Sequence, residues 1–146
     1  MSHSYSKNYV HVIYSTKDRQ NLIPPESRNG SIRSLHPSHA SMKSRFWLRE
    51  ECPTTHLLFL LPATISLASA INTFKTNSSR FMHERGLALE WQNGYGAFSV
   101  GLSQLDKVTA YVRSQPEHHK KMTFEEEFLA LLKKADVPYD PKYVFG

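Results

Sequence analysis

Tyr111 and Gln115 stand four residues apart in a stretch with helical spacing, so both side chains project from one face. A phenol beside an amide at that spacing has two readings. The ordinary one is a half-buried helix tyrosine with its hydroxyl in water. The chemical one is a tyrosine nucleophile held near a metal, with the Gln115 amide oxygen as a ligand. Such a tyrosine attacks a phosphodiester and keeps the phosphate as an ester, which conserves the bond for rejoining. His56 heads the apolar run Leu57 to Leu61 and is either a structural histidine or a ligand. His118-His119 follows Gln115 closely enough to approach phosphate, or else is solvated at a helix C-terminus beside Lys120 and Lys121. There is no glycine-rich phosphate loop, no Cys-x-x-Cys and no Gly-x-Ser-x-Gly, and Cys52 has no evident catalytic setting.

The elements that must position these groups are legible along most of the chain. Tyr9-Val10-His11-Val12-Ile13-Tyr14 is rich in β-branched and aromatic residues and predicts a strand. Leu57-Leu58-Phe59-Leu60-Leu61 predicts a central strand buried on both faces, closed by Pro62. Ser66 can cap a helix to about Glu84, with Leu67, Ala70, Ile71, Phe74, Phe81 and Met82 on one face. Gly86 ends it, and Trp91 to Val100 reads as a turn and a strand. Ser103 opens a helix with Leu105, Val108 and Val112 inward, and Thr123-Phe124-Glu125-Glu126 is a capping box for a last helix. Strands alternating with helices in so short a chain predict an α+β sandwich. Residues 26–55 show no sustained period of either kind, which is unusual inside a compact domain.

A chain of 146 residues has room for one domain. The longest apolar run is too short to span a bilayer, the N-terminus lacks the build of a secretion signal, and one cysteine cannot form an internal disulfide. A cytoplasmic protein with no membrane partner is expected. Lys plus Arg is 18 against 13 acids, a net charge of +5, and 12% of residues are aromatic. Cations that neutralise phosphates and rings that stack on bases suit a nucleic-acid ligand.

Read together, these pieces resemble the IS200/IS605-type transposases, single-domain tyrosine enzymes of the HUH class. The resemblance rests on Ser4-Tyr5-Ser6 with Val10 to Lys17, on His56-Leu57-Leu58 with Leu61-Pro62, and on Lys75-Thr76-Asn77-Ser78-Ser79. It rests also on Trp91 to Val100, on Tyr111-Val112-Arg113-Ser114-Gln115 with Glu117-His118-His119, and on Phe124-Glu125-Glu126-Glu127. It implies a ferredoxin-like antiparallel sheet with helices packed on one face. It also implies single-stranded DNA folded into hairpins as substrate, a divalent ion (Mg²⁺ or Mn²⁺), a 5′-phosphotyrosine product and a homodimer. In it Tyr111 is the nucleophile, and His56 and Gln115 are metal ligands. Lys75, Asn77, Arg80, Trp91, Gln92 and Tyr95 are the expected DNA contacts, by phosphate pairing and stacking.

One motif departs from the family. The first histidine of its His-hydrophobe-His signature falls on Thr54 and the hydrophobe on Thr55. A hydroxyl is a poor replacement for imidazole. Read from the third base of each codon, Arg49 to Thr55 can spell Gly-Gly-Met-Pro-Asp-His, the family's lead into its second histidine. Two compensating frame slips, near Glu26 and just before His56, would make 26–55 aberrant within the single domain. The expectation is therefore a transposase impaired at its metal site. The alternatives are a hairpin-binding protein that does not cut, or a decayed remnant.

Overall fold

The computed structural model describes residue 3 and residues 5–19, 47–51, 54–84, 86–113 and 122–145. Gln115, His118-His119, Cys52 and most of 26–55 lie outside the described residues. The strands are β1 (Asn8–Ser15), β2 (Trp47–Glu51), β3 (Thr54–Leu61) and β4 (Gly96–Val100). The helices are α1 (Leu67–Glu84), α2 (Leu105–Arg113) and α3 (Phe124–Lys134). None of the described helices is long and apolar enough to cross a membrane.

The four strands form one sheet in the order β2-β3-β1-β4, and every neighbouring pair is antiparallel. β1 and β3 are therefore central, and this is the strand order of a ferredoxin-like sheet. The α+β class and the antiparallel sheet are as the sequence suggests. β2 is an addition: Trp47–Glu51, inside the stretch without a period, pairs along β3 with Arg49 opposite His56. An edge strand is held by backbone hydrogen bonds to one neighbour, so it needs no alternating side-chain pattern to form.

Alternation along the strands builds two faces. Val10, Val12, Tyr14, Leu57 and Phe59 pack with Ala70, Ile71 and Phe74 of α1. Tyr9, Leu58 and Val100 pack with Val112 of α2, while Ile13 packs with Phe124, Phe128 and Leu132 of α3. Helices on one face only were expected, and the structure corrects this: α1 covers one face, and α2 and α3 cover the other. The cause is that both sides of β1 and β3 carry apolar side chains, Tyr9, Ile13 and Leu58 on the second, so each side has to be covered.

Local signals set the helix ends. Ser66 Oγ accepts from Ser69 N–H at 3.1 Å, and Gly86, just past the end of α1, takes a positive φ of 77°. Thr123 and Glu126 form the reciprocal capping box of α3. The turn before α2 starts without a side-chain cap at Gly101, so Ser103 lies within a short 3₁₀ turn (Leu102–Gln104) and not at the helix mouth. Burying Phe124, Phe128 and Leu132 stabilises the seat of α3 by about 1.5–3 kcal/mol each. That seat delivers Glu127 to the sheet.

Candidate active site

Four side chains from four elements meet on the face covered by α2 and α3. In the β1–β3 register Ile13 lies opposite His56 and His11 opposite Leu58, so the two histidines are diagonal neighbours on that face. Their rings stack with centroids 5.3 Å apart, and His11 Nε2 is 3.0 Å from His56 Nδ1. The other nitrogen of His56, Nε2, is 2.7 Å from Glu127 Oε1. Tyr111 of α2 presents its ring at 6.0 Å to His56 and 6.1 Å to His11, edge to face.

All three polar groups beneath the tyrosine are buried: His56 is 1% exposed, Glu127 2% and His11 4%. Burial, helped by the neighbouring His56, lowers the His11 pKa from 6.5 to about 3, against a weaker opposite pull from Glu127. His11 is thus neutral and can either donate to or accept from His56. With His56 Nε2–H turned to the carboxylate, His56 Nδ1 accepts from His11 Nε2–H; in the other tautomer that bond reverses. Beside these groups opens a cleft of about 600 Å³ between α2 and α3. His11, Gln104, Lys107, Tyr111, Glu127 and Lys134 are among its walls.

Thr54 lies on the same face as His56, two residues along β3, at full burial. Its Oγ1 has no hydrogen-bond partner among the described residues, and the same holds for Thr55 Oγ1 on the α1 face. No three His, Cys, Asp or Glu side chains among the described residues converge on one point as a metal cage. What converges is an imidazole, a carboxylate and, on the same strand face, an orphaned hydroxyl. These are nitrogen and oxygen donors of the kind that Mg²⁺ and Mn²⁺ take.

His11 and Glu127 are the residues that sequence reasoning missed. His11 was legible only as part of a strand, although a histidine inside a β-branched run has to find a buried partner. Glu127 carried a clearer signal: it lies between Phe124 and Leu131 on the inward side of an amphipathic helix, where a carboxylate is costly unless it is paired.

The residues expected to contact DNA gather on the other side of the sheet, at α1 and the segment 91–95. Several already hold the fold together. Lys75 Nζ donates to the carbonyls of Gln92 at 2.7 Å and Gly94 at 3.0 Å, and lies over the rings of Tyr14 and Tyr95. Partial burial brings its pKa down to about 8. Trp91 Nε1–H donates to Ser78 Oγ, and Gln92 Oε1 accepts from Ser15 N–H and Oγ–H. Arg80 and Tyr95 are exposed, and Asn77 is half-buried. Cavities of about 530 and 290 Å³ flank Trp91, Gln92 and Asn93.

Residues 4–115 match the protein family described as Transposase IS200 like. The chain belongs to that family. Its members are transposases, enzymes that cleave and rejoin DNA. No curated protein matches the sequence. Among solved structures the chain is similar to a candidate transposase from Deinococcus radiodurans R1, whose crystal structure is at 1.90 Å resolution. The TM-score is 0.56 at 17% identity, over 79% of this chain and 96% of that one. It is also similar to a REP-associated tyrosine transposase bound to a REP hairpin, with TM-score 0.58 and 15% identity over 82% and 73% of the two chains. At these identities the likeness to both is one of fold.

Proposed function

We propose that this IS200-like transposase cleaves and rejoins hairpin-bearing single-stranded DNA, with Tyr111 as its nucleophile. The observation that carries the reading is the position of the Tyr111 ring, 6.0 Å from His56 and 6.1 Å from His11 at a cleft of about 600 Å³. Tyr111 Oη attacks the scissile phosphorus, the bond to the 3′ oxygen breaks, and the DNA is held as a 5′-phosphotyrosine ester. The phenol gives up its proton and the departing 3′ oxygen takes one, leaving a free hydroxyl for the reverse reaction. His11 and Glu127 hold His56 from its two sides, so its ring is fixed before substrate arrives.

A divalent ion, when bound, would polarise the scissile phosphate. His56 would hold it, with Gln115 as the amide ligand and Thr54 where a second imidazole would stand. On the other side of the sheet, Arg80, Tyr95 and Asn77 would contact the DNA, while Lys75, Trp91 and Gln92 shape the platform that presents them. The hairpin bound by the REP-associated neighbour and the net charge of +5 support a hairpin ligand. A homodimer is part of the same reading, and the closeness of Tyr111 to His56 supports catalysis within one subunit.

The test is Tyr111→Phe. It removes only the hydroxyl, so covalent protein–DNA adducts on hairpin substrates should disappear while hairpin binding stays within about twofold. An adduct that persists in the variant removes Tyr111 from the role. Thr54 favours a second reading, a chain that binds hairpins without cutting them. Absence of adduct in the parent protein, with salt-dependent hairpin binding intact, would support it. We infer that 26–55 arose by compensated frame slips; the coding nucleotides across it are the test.

A further inference from the structure

The carboxylate of Glu127 is buried where its desolvation is costly, and it is paired there with His56. It sits on the inward face of α3, flanked by Phe124 and Phe128, at 2% exposure, where an apolar residue would cost nothing to desolvate. It is directed at His56 Nε2, 2.7 Å away, and shares a cleft with Tyr111. Adjacent ligands of one octahedral ion, each about 2.1–2.2 Å from it, lie about 3 Å from one another. The two atoms are therefore within a few tenths of an ångström of the separation that a shared cation needs. Two residues from His56 on the same face of β3 stands Thr54, whose hydroxyl lacks a hydrogen-bond partner among the described residues.

We propose that His56 Nε2 and a carboxylate oxygen of Glu127 are paired ligands of a divalent cation, the carboxylate from α3 replacing the imidazole absent at Thr54. This rests on the reading of the Tyr111 cleft as the DNA-cleaving site. His11 is the positioning residue of the pair: its Nε2, 3.0 Å from His56 Nδ1, can accept His56 Nδ1–H, the tautomer that leaves Nε2 facing the ion. Exchanging a neutral imidazole for a carboxylate adds a negative charge to the ligand set, which favours hard cations such as Mn²⁺ and Mg²⁺ over softer ones.

The experiment titrates Mn²⁺ into the full chain without DNA, following free Mn²⁺ by electron paramagnetic resonance. It compares the parent with Glu127→Gln and with the double variant Thr54→His/Glu127→Gln. Circular dichroism verifies folding in each. The parent should bind one ion, Glu127→Gln should weaken binding by at least about tenfold, and the double variant should recover most of the loss. In the parent, Mn²⁺ should broaden the His56 ring resonances before those of exposed His3 and His83, a readout that holds even if Glu127→Gln fails to fold. Unchanged affinity in Glu127→Gln, or no broadening at His56, overturns the proposal. Adduct formation by Tyr111, measured in the same samples, separates the two ideas: adduct with unchanged Mn²⁺ affinity in Glu127→Gln refutes the ligand assignment and leaves the transposase reading standing.

Discussion

Thr55→Val should make this protein more stable. Thr55 is fully buried on the α1 face of β3, opposite Tyr14 of β1, and its hydroxyl has no hydrogen-bond partner among the described residues. Folding therefore strips water from that hydroxyl without replacing it, a cost of about 1–3 kcal/mol. Valine keeps the shape and the β-branch and puts a methyl group in place of the oxygen. The whole penalty should then return as stability, about 1–3 kcal/mol, with strand propensity unchanged or better. For a chain of this size that is a rise in Tm of about 3–9 °C. Thermal and urea unfolding followed by circular dichroism would measure it, and an unchanged urea slope would show that the folded state has changed and not the unfolded one. Thr109 supplies the control. Its hydroxyl donates to Leu105 O at 2.7 Å, so the same change there should cost about 0.5–1 kcal/mol. A neutral or destabilising Thr55→Val would mean that the hydroxyl is bonded in solution, and the reasoning about β3 would be wrong.

Two further changes probe the supports of the site. A Cβ at Gly96 would meet the Phe128 ring at 3.0 Å, Ile13 Cγ2 at 3.1 Å and the Phe98 ring at 3.3 Å. Gly96→Ala should therefore push α3 off the sheet and cost about 1–3 kcal/mol in urea unfolding, and an unchanged midpoint would show that α3 is not seated there. Lys75→Met keeps the aliphatic stem but removes the donor to the carbonyls of Gln92 and Gly94, and should cost about 1–2 kcal/mol and speed amide exchange over residues 92–95. If stability is unchanged while hairpin binding falls, the ammonium contacts DNA and does not hold the loop.

The sequence alone determined those parts of the protein whose cause is local. β1, β3, α1 and α3 follow from runs and periods that apolar burial imposes within one element, and their ends follow from Ser66, Gly86 and the Thr123–Glu126 box, which satisfy or release backbone groups nearby. The family was legible for the same reason: short motifs such as Tyr111 to Gln115 and Trp91 to Val100 keep their order and spacing along the chain. Tertiary structure decided what depends on partners distant in sequence. That α2 and α3 cover the face opposite α1 could not be read from amphipathic helices, since an apolar stripe says that a helix packs and not on which side. Trp47–Glu51 became a strand because the free edge of β3 offered it hydrogen-bond partners, with no pattern of its own required. His11 lies 45 residues from His56 in sequence, and Glu127 lies in the last helix. Only the diagonal register of β1 on β3 and the seating of Phe128 against Ile13 and Gly96 bring the two onto opposite sides of one imidazole. A buried charge or a neutral histidine is stabilised by the groups around it, and which groups those are is settled by how the chain packs.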